Sequence, residues 1–214
     1  MKSAPLALAF ALVGSLVSPA AAADCAVVPY EVTINILSPR ATLDSGLNQA
    51  ALDRATVKSA RPGFNAKGLT EVNYEASYTT EYESVTVPGG GWCSRVRKVI
   101  FRFGFATPPA IHISPSLKVG GCLYEEIVEH EHQHLAIALD TLEAGRKWLD
   151  NAARIVVDAG GVVGPTADIA NKELQARLTK MVNRITTQLY LAADTRNQII
   201  DTTASYLRLG QACR

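Results

Sequence analysis

The sequence predicts an α+β fold in which a small antiparallel sheet is followed by two long helices. Three observations support this prediction: an alternating strand at residues 71–87, a partner strand after a glycine-rich turn, and helical periodicity from residue 122 onward. Residues 24–113 are therefore expected to be mainly β and residues 122–209 mainly α. A chain of this length suits a single domain, which we place at residues 24–214.

The predicted β part contains four extended segments, and one short helix lies between the first and the second. Residues 27–36 are rich in β-branched side chains, and a short helix is expected at residues 45–56. Residues 71–87 are predicted to form a strand, in which the side chains of residues 71–82 alternate strictly, so one face is apolar and the other is solvated. A turn at residues 88–91 leads to a partner strand at residues 92–105, and residues 111–113 form a last extended piece. The apolar face of the partner strand contains Val99, Phe101, Phe103 and Phe105.

The predicted α part consists of two helical stretches, at residues 123–158 and 167–209. In both, apolar residues recur at steps of three and four, as in a helix with one buried face. Gly145 interrupts the first stretch but need not break the helix. Glycines and a proline between residues 160 and 165 separate the two stretches.

The first 23 residues have the pattern of a secretory signal peptide. A positive start precedes a short apolar run, and Ala21-Ala22-Ala23 fits a small-residue cleavage site. Cleavage removes one of the 21 basic residues and none of the 20 acidic ones, which leaves a formal net charge of zero. We expect a protein secreted to the periplasm or the medium, without stable membrane insertion after cleavage. The charge balance argues against a nucleic-acid partner.

Four cysteines, Cys25, Cys93, Cys122 and Cys213, lie beyond the predicted cleavage site. In an oxidising compartment they are expected to form two disulfides, for which three pairings exist. We favour Cys93–Cys122 and Cys25–Cys213, because the second would tie two otherwise loose ends. A zinc site of four cysteines is the alternative, and the lack of a C-x-x-C pair in the sequence argues against it.

The segment from His130 to His134 contains the motif H-E-x-x-H, and three of the four histidines of the chain fall within it. On a helix, His130 and His134 project from one face one turn apart, which suits two ligands of a tetrahedral Zn²⁺. Glu131, rotated by about 100°, lies beside the metal as a general base would. His132 points about 200° away from His130 and is expected outside the metal site. The motif predicts a metallopeptidase that hydrolyses amide bonds in a peptide or protein substrate.

The motif leaves the third metal ligand open. Asp140 would lie about 15 Å farther along the helix axis, so it is excluded. The remaining candidates are His112 and three carboxylates of the second helical stretch, Asp194, Asp201 and Glu173. Two other functions also fit these residues: a non-catalytic zinc-binding protein, and a cell-envelope adaptor that docks a partner through its long helices. No pattern in the sequence predicts an oligomeric state.

Several features occur together and in order: the aromatic alternating strand, Gly91-Trp92-Cys93, Pro108-Pro109, and H-E-x-x-H followed by residues 135–138. In this the chain resembles a bacterial family of exported proteins with a domain of unknown function, described as secreted zinc-dependent proteases. The resemblance implies a zincin-like fold and Zn²⁺ bound by His130 and His134, with Glu131 catalytic. The C-terminal motif of the family resembles residues 200–206, which favours Asp201 as the third ligand. Tyr206 lies near the place of a family histidine, where it either donates a hydrogen bond to the tetrahedral intermediate or packs between helices.

Overall fold

The computed structural model describes residues 25–44, 46–56 and 66–213, so the predicted signal peptide at residues 1–23 lies outside the described residues. The chain is an α+β protein, as predicted, with short strands first and long helices last. Its elements are, in order, β1 (Glu31–Leu37), β2 (Thr42–Asp44), α1 (Gln49–Thr56), β3 (Gly68–Glu71), β4 (Tyr74–Thr86), β5 (Trp92–Phe105), β6 (Ala110–Ile113), α2 (Cys122–Asp158), β7 (Val162–Gly164), α3 (Ala167–Ile200) and α4 (Thr203–Ala212).

The larger sheet has the order β1-β5-β4, and β7 pairs with the beginning of β5. The predicted hairpin is confirmed, because β4 and β5 are antiparallel from Tyr74↔Phe105 to Thr86↔Trp92. The predicted antiparallel sheet is confirmed only in part, because β1 is parallel to β5 and the sheet is therefore mixed. Side chains alternate with a period of two in both kinds of strand, so the alternation predicted the buried face but not the strand direction.

The smaller sheet has the order β2-β6-β3 and is also mixed. The central strand β6 is parallel to β2 and antiparallel to β3. The predicted strand at residues 71–87 is in fact divided between the sheets, since Glu71 ends β3 and Tyr74 begins β4. Ile111 and Ile113 of β6 are buried and pack against Ile127 of α2. This packing places β3 beside the H-E-x-x-H segment of α2.

The main core lies between the larger sheet and the two long helices. Val99, Phe101, Phe103 and Phe105 are all buried there, as the alternation in β5 predicts. Helix α2 continues through Gly145 without a break. A Cβ at this position would overlap Leu189 of α3 and Phe103 of β5. Gly145 therefore allows the two helices and the sheet to approach closely.

The second helical stretch is two helices and not one. Helix α3 ends at Ile200, Asp201 is its C-cap, and Thr202 begins α4 as an N-cap. The Thr202 side chain accepts a hydrogen bond from the Ser205 backbone N–H, and the Ser205 side chain bonds the Thr202 backbone, which is a capping box. Helical periodicity continues across this boundary, so it does not reveal the break. The break lies at Asp201, one of the predicted metal ligands.

The four cysteines form two disulfides, but the predicted pairing is wrong. Cys25 is bonded to Cys93, and Cys122 is bonded to Cys213. Both terminal cysteines are tied down, each to an interior cysteine, and Cys213 reaches Cys122 because α4 folds back onto the start of α2. Two disulfides fit an oxidising compartment such as the periplasm or the medium. Among the described residues, none of the helices combines the length and apolar composition that a membrane-spanning helix requires.

Candidate metal centre

His130 and His134 project from the same face of α2, one turn apart, as the motif predicts. Their Nε2 atoms lie 3.2 Å from each other, and the two ring planes are nearly perpendicular, at 88°. His130 is buried, whereas His134 retains partial exposure. Two imidazole nitrogens at this distance attract each other only when a proton or a cation lies between them.

Asp201 joins the two histidines from the end of α3. Its Oδ1 atom lies 3.1 Å from His130 Nε2 and 3.1 Å from His134 Nε2. The three donor atoms thus form a nearly equilateral triangle. Donor atoms around a tetrahedral Zn²⁺ with bonds of about 2.0–2.1 Å lie about 3.3 Å apart, so the triangle fits such an ion with small adjustments. Two imidazoles and one carboxylate are also a donor set that zinc accepts.

The pKa values of the group reflect how closely the three side chains interact. Burial alone would raise the pKa of Asp201, but hydrogen bonds from His130 and His134 hold it well below its usual range. Burial alone would lower the pKa of His134, but hydrogen bonds with Asp201 and Asn197 raise it above its ordinary value of 6.5. In the metal-free site these interactions therefore favour the ionised form of Asp201 and the protonated form of His134 more than in the free side chains. A divalent cation that binds here displaces that proton.

Glu131 lies under strand β3, close enough to the triangle for the charges of its three side chains to act on the pKa of Glu131. The Thr70 hydroxyl is 2.9 Å from Glu131 Oε2 and 2.9 Å from the Glu131 carbonyl oxygen. A Cβ at Gly68 would overlap Glu131 Oε1, so β3 confines both carboxylate oxygens. Burial raises the pKa of Glu131, while His134 and the Thr70 hydroxyl act in the opposite direction. A carboxylate with a raised pKa is better suited to accept a proton near neutral pH.

Two further side chains hold the ligands in place from behind. The side-chain oxygen of Asn197 is 3.0 Å from His134 Nδ1, so it accepts a hydrogen bond when that nitrogen is protonated. This leaves Nε2 of His134 as the atom directed at the centre. Tyr206 donates a hydrogen bond of 2.8 Å to Asp201 Oδ1. Burial and Asp201 both raise the pKa of Tyr206, so its hydroxyl remains a donor.

Sequence reasoning missed Asn197 and Thr70. Asn197 is four residues before Asp201 and therefore lies on the same face of α3, which a search for partners around each candidate carboxylate could have found. Nothing in the sequence pairs Thr70 with Glu131, because the contact joins residues 61 positions apart.

The other candidates for the third ligand lie elsewhere. His112 is on β6, with Asp44 Oδ2 3.6 Å and Glu71 Oε2 3.4 Å from its two ring nitrogens. Asp194 accepts a hydrogen bond from Gln198. The remaining side chains are separate too: Glu173 pairs with Arg177, Asp140 pairs with Arg196, and His132 is exposed.

In the described ranges, His130, His134 and Asp201 are the one group of three or more His, Cys, Asp or Glu side chains with ligand atoms close enough to hold a metal ion. We call these three residues the candidate metal centre. Comparison of the chain with protein-family models, with curated proteins and with solved structures found no match. The functional conclusion therefore depends on the chemistry of this centre and of the residues around it.

Proposed function

We propose that this chain is an exported zinc-dependent metallopeptidase that hydrolyses amide bonds in peptides or proteins. The observation that carries the proposal is the triangle of His130 Nε2, His134 Nε2 and Asp201 Oδ1, with the carboxylate of Glu131 beside it. Other divalent first-row ions suit the same donors. A glutamate next to a His, His, Asp group favours zinc and hydrolysis, because that chemistry needs a base next to the metal.

Each residue has a distinct task in the proposed reaction. His130, His134 and Asp201 would hold Zn²⁺, which would supply a water activated at neutral pH and a positive charge to polarise the scissile carbonyl. Glu131 takes a proton from the attacking water and passes it to the leaving amine. The hydroxyl of Tyr206 donates to Asp201 Oδ1, and it would have to exchange that acceptor for the carbonyl oxygen to stabilise negative charge that develops there.

Strand β3 is the proposed binding edge for the substrate. In the described part of the chain β3 is an edge strand of the smaller sheet, and its residue Thr70 contacts Glu131. An extended peptide that adds to this edge would have its backbone aligned by hydrogen bonds next to the general base. Export by a signal peptide at residues 1–23, followed by disulfide formation, would place the reaction in the periplasm or the medium.

Glu131→Gln tests the proposal. The protein from residue 24 onward is produced in oxidised form, its zinc content is measured, and amide hydrolysis is followed with a library of quenched fluorescent peptides. We expect one zinc per chain, hydrolysis that a chelator abolishes and zinc restores, and loss of turnover in Glu131→Gln with zinc retained. Unchanged turnover in Glu131→Gln would show that the assigned mechanism is wrong.

One observation favours a second function, non-catalytic metal binding. Glu131 and His130 are each only 5% exposed, and Thr70 occupies one oxygen of the Glu131 carboxylate. A general base must reach a water molecule, and this arrangement leaves little room for one. Stoichiometric zinc without cleavage of any library peptide would select this second function.

A further inference from the structure

We propose that the Cys122–Cys213 disulfide is a latch that holds helix α4, and with it Tyr206, against the candidate metal centre. The inference rests on the metal-binding part of the proposed function and does not require hydrolysis. It gives this disulfide a role in positioning the metal ligands, which the Cys25–Cys93 disulfide does not share.

Helix α4 lies along the first turns of α2. The ring of Tyr206 is 5.4 Å from the ring of His130 between centroids, and Cys213 is bonded to Cys122. His130 is eight residues after Cys122, about 12 Å along α2, and Cys213 is seven residues after Tyr206, about 10 Å along α4. These matching lengths mean that α4 runs back along α2 in the opposite direction. One end of α4 therefore lies at the metal centre and the other at the disulfide.

Side-chain burial holds α4 only weakly. None of its residues is buried, whereas α2 and α3 each contribute many residues to the core. Leu209 packs against the cluster of Ile111, Ile113 and Ile127 while it remains partly exposed. A helix of ten residues is not stable in water by itself. The covalent bond at its end therefore contributes a large share of what keeps α4 in place.

Tyr206 connects the position of α4 to the metal centre. Its hydroxyl donates to Asp201 Oδ1, which is the oxygen directed at both histidines. Hydrogen bonds of this kind orient a ligand and preserve metal affinity. If α4 moves away, Asp201 loses the hydrogen bond from Tyr206 and its carboxylate gains rotational freedom. Metal affinity should then fall although His130, His134 and Asp201 are all still present.

The latch is also the disulfide that a reductant reaches first. Cys122 is exposed, whereas Cys25 and Cys93 are both buried. In reduction by a dithiol, one thiolate attacks a sulfur of the disulfide, the S–S bond breaks, and a mixed disulfide forms. The second thiol of the reductant then releases the other cysteine. Two electrons and two protons pass to Cys122 and Cys213, and the dithiol becomes a disulfide.

The first experiment compares zinc affinity in two matched variants by competition with a chromophoric chelator. Cys122→Ser with Cys213→Ser removes the latch, and Cys25→Ser with Cys93→Ser removes the other disulfide. We expect the first variant to bind zinc about 10- to 100-fold more weakly than the wild type. The control should stay within about twofold even if its melting temperature falls. Equal affinities in the latch variant and the wild type, or an equal loss in the control, would overturn the inference.

Tyr206→Phe keeps the inference testable if the latch variant folds poorly. This change removes only the hydroxyl, and we expect the same weakening of zinc binding, visible also as a change in the absorption spectrum of bound Co²⁺. When the latch is removed in the Tyr206→Phe background, the further loss should be at most about twofold, because both changes act through one contact. A full additional loss would show that the disulfide does not act through Tyr206.

Limited reduction tests the accessibility of the latch directly. Metal-free protein is treated with limiting dithiothreitol, alkylated and mapped by mass spectrometry, and Cys122 and Cys213 should be labelled before Cys25 and Cys93. Labelling of Cys25 and Cys93 first would contradict the claim that a reductant reaches the latch before the other disulfide. A wild-type protein that binds no zinc overturns the proposed function together with this inference, whereas equal affinities overturn the inference alone.

Discussion

Asp201 Oδ1 lies 3.1 Å from His130 Nε2, although 71 residues separate the two in the chain. The pair meets because α2 and α3 run antiparallel and are in contact where Gly145 faces Leu189. From this contact it is 11 residues back to His134 and 12 residues forward to Asp201, about 16 Å and 18 Å along the two helices. The nearly equal lengths bring Asp201 level with the turn of α2 that carries His134.

Asp201→Asn should lower zinc affinity strongly. The change removes the negative charge of the third ligand, and we expect a loss of at least about 100-fold, the upper end of the effect of losing an outer partner. Asp194→Asn is the matched control, because Asp194 lies on the same helix, outside the candidate metal centre, and accepts a hydrogen bond from Gln198. Zinc titration checks both variants, and comparable losses in the two would argue against Asp201 as a ligand.

Gly145→Ala should destabilise the protein although alanine favours helices. The new methyl would overlap Leu189 and Phe103, and overpacking of this kind costs about 1–3 kcal/mol. Gly210→Ala is the opposite case, because its Cβ would meet no atom within 4 Å, and about 0.5–1 kcal/mol of stabilisation is expected there. Urea denaturation of metal-free protein measures both changes, and a stabilising Gly145→Ala would contradict the assigned packing.

The sequence predicted those features that depend on local pattern. The alternation of Phe101, Phe103 and Phe105 predicted β5 and its buried face, and the four-residue spacing of His130 and His134 placed both rings on one face of α2. Neither feature needs information from another part of the chain. Asp201 was one of several open candidates, and the family resemblance favoured it over the others.

Most of the features that sequence reasoning missed depend on contacts between distant segments. The parallel direction of β1, the Cys25–Cys93 and Cys122–Cys213 pairs, and the contact of Thr70 with Glu131 arise only when the elements pack. The break after Ile200 is the exception, because the Thr202-to-Ser205 capping box is a local signal. Helical periodicity hides that signal, since apolar spacing continues into α4.

Thr70→Val should reduce turnover while zinc binding is preserved. Valine has nearly the same shape but lacks the hydroxyl that holds Glu131 Oε2. A hydrogen bond to a charged group contributes about 1.5–3 kcal/mol, so we expect kcat to fall about 10- to 100-fold with little change in KM. Thr70→Ser retains the hydroxyl and should restore most of the activity. Equal activity of the valine and serine variants would show that the hydroxyl does not position Glu131.

The stability of the metal-free protein should depend on pH through Asp201 and His134. The lowered pKa of Asp201 stabilises the fold above its ordinary value of 3.8, and this contribution is lost as pH falls through the lowered pKa. The raised pKa of His134 stabilises the fold below 6.5, and this contribution is lost as pH rises through the raised pKa. Both contributions are therefore fully present between about pH 4 and 6.5.

Urea denaturation with a chelator present, repeated from well below about pH 4 to well above about pH 6.5, checks the prediction. Asp201→Asn should flatten the wild-type profile on both sides, because it removes one titrating group and the main hydrogen-bond partner of the other. Asp194→Asn should keep the wild-type profile. A profile that Asp201→Asn leaves unchanged would show that the two groups are not coupled in the folded protein.

X-ray absorption spectroscopy of the zinc-loaded protein tests the central claim most directly, namely that His130, His134 and Asp201 hold one metal ion. We predict one zinc per chain, with imidazole scattering from two histidines and nitrogen or oxygen ligands at about 2.0–2.1 Å. In His134→Ala the imidazole contribution should fall by half. Protein that retains no zinc, or a first shell dominated by sulfur at about 2.3 Å, would contradict the account.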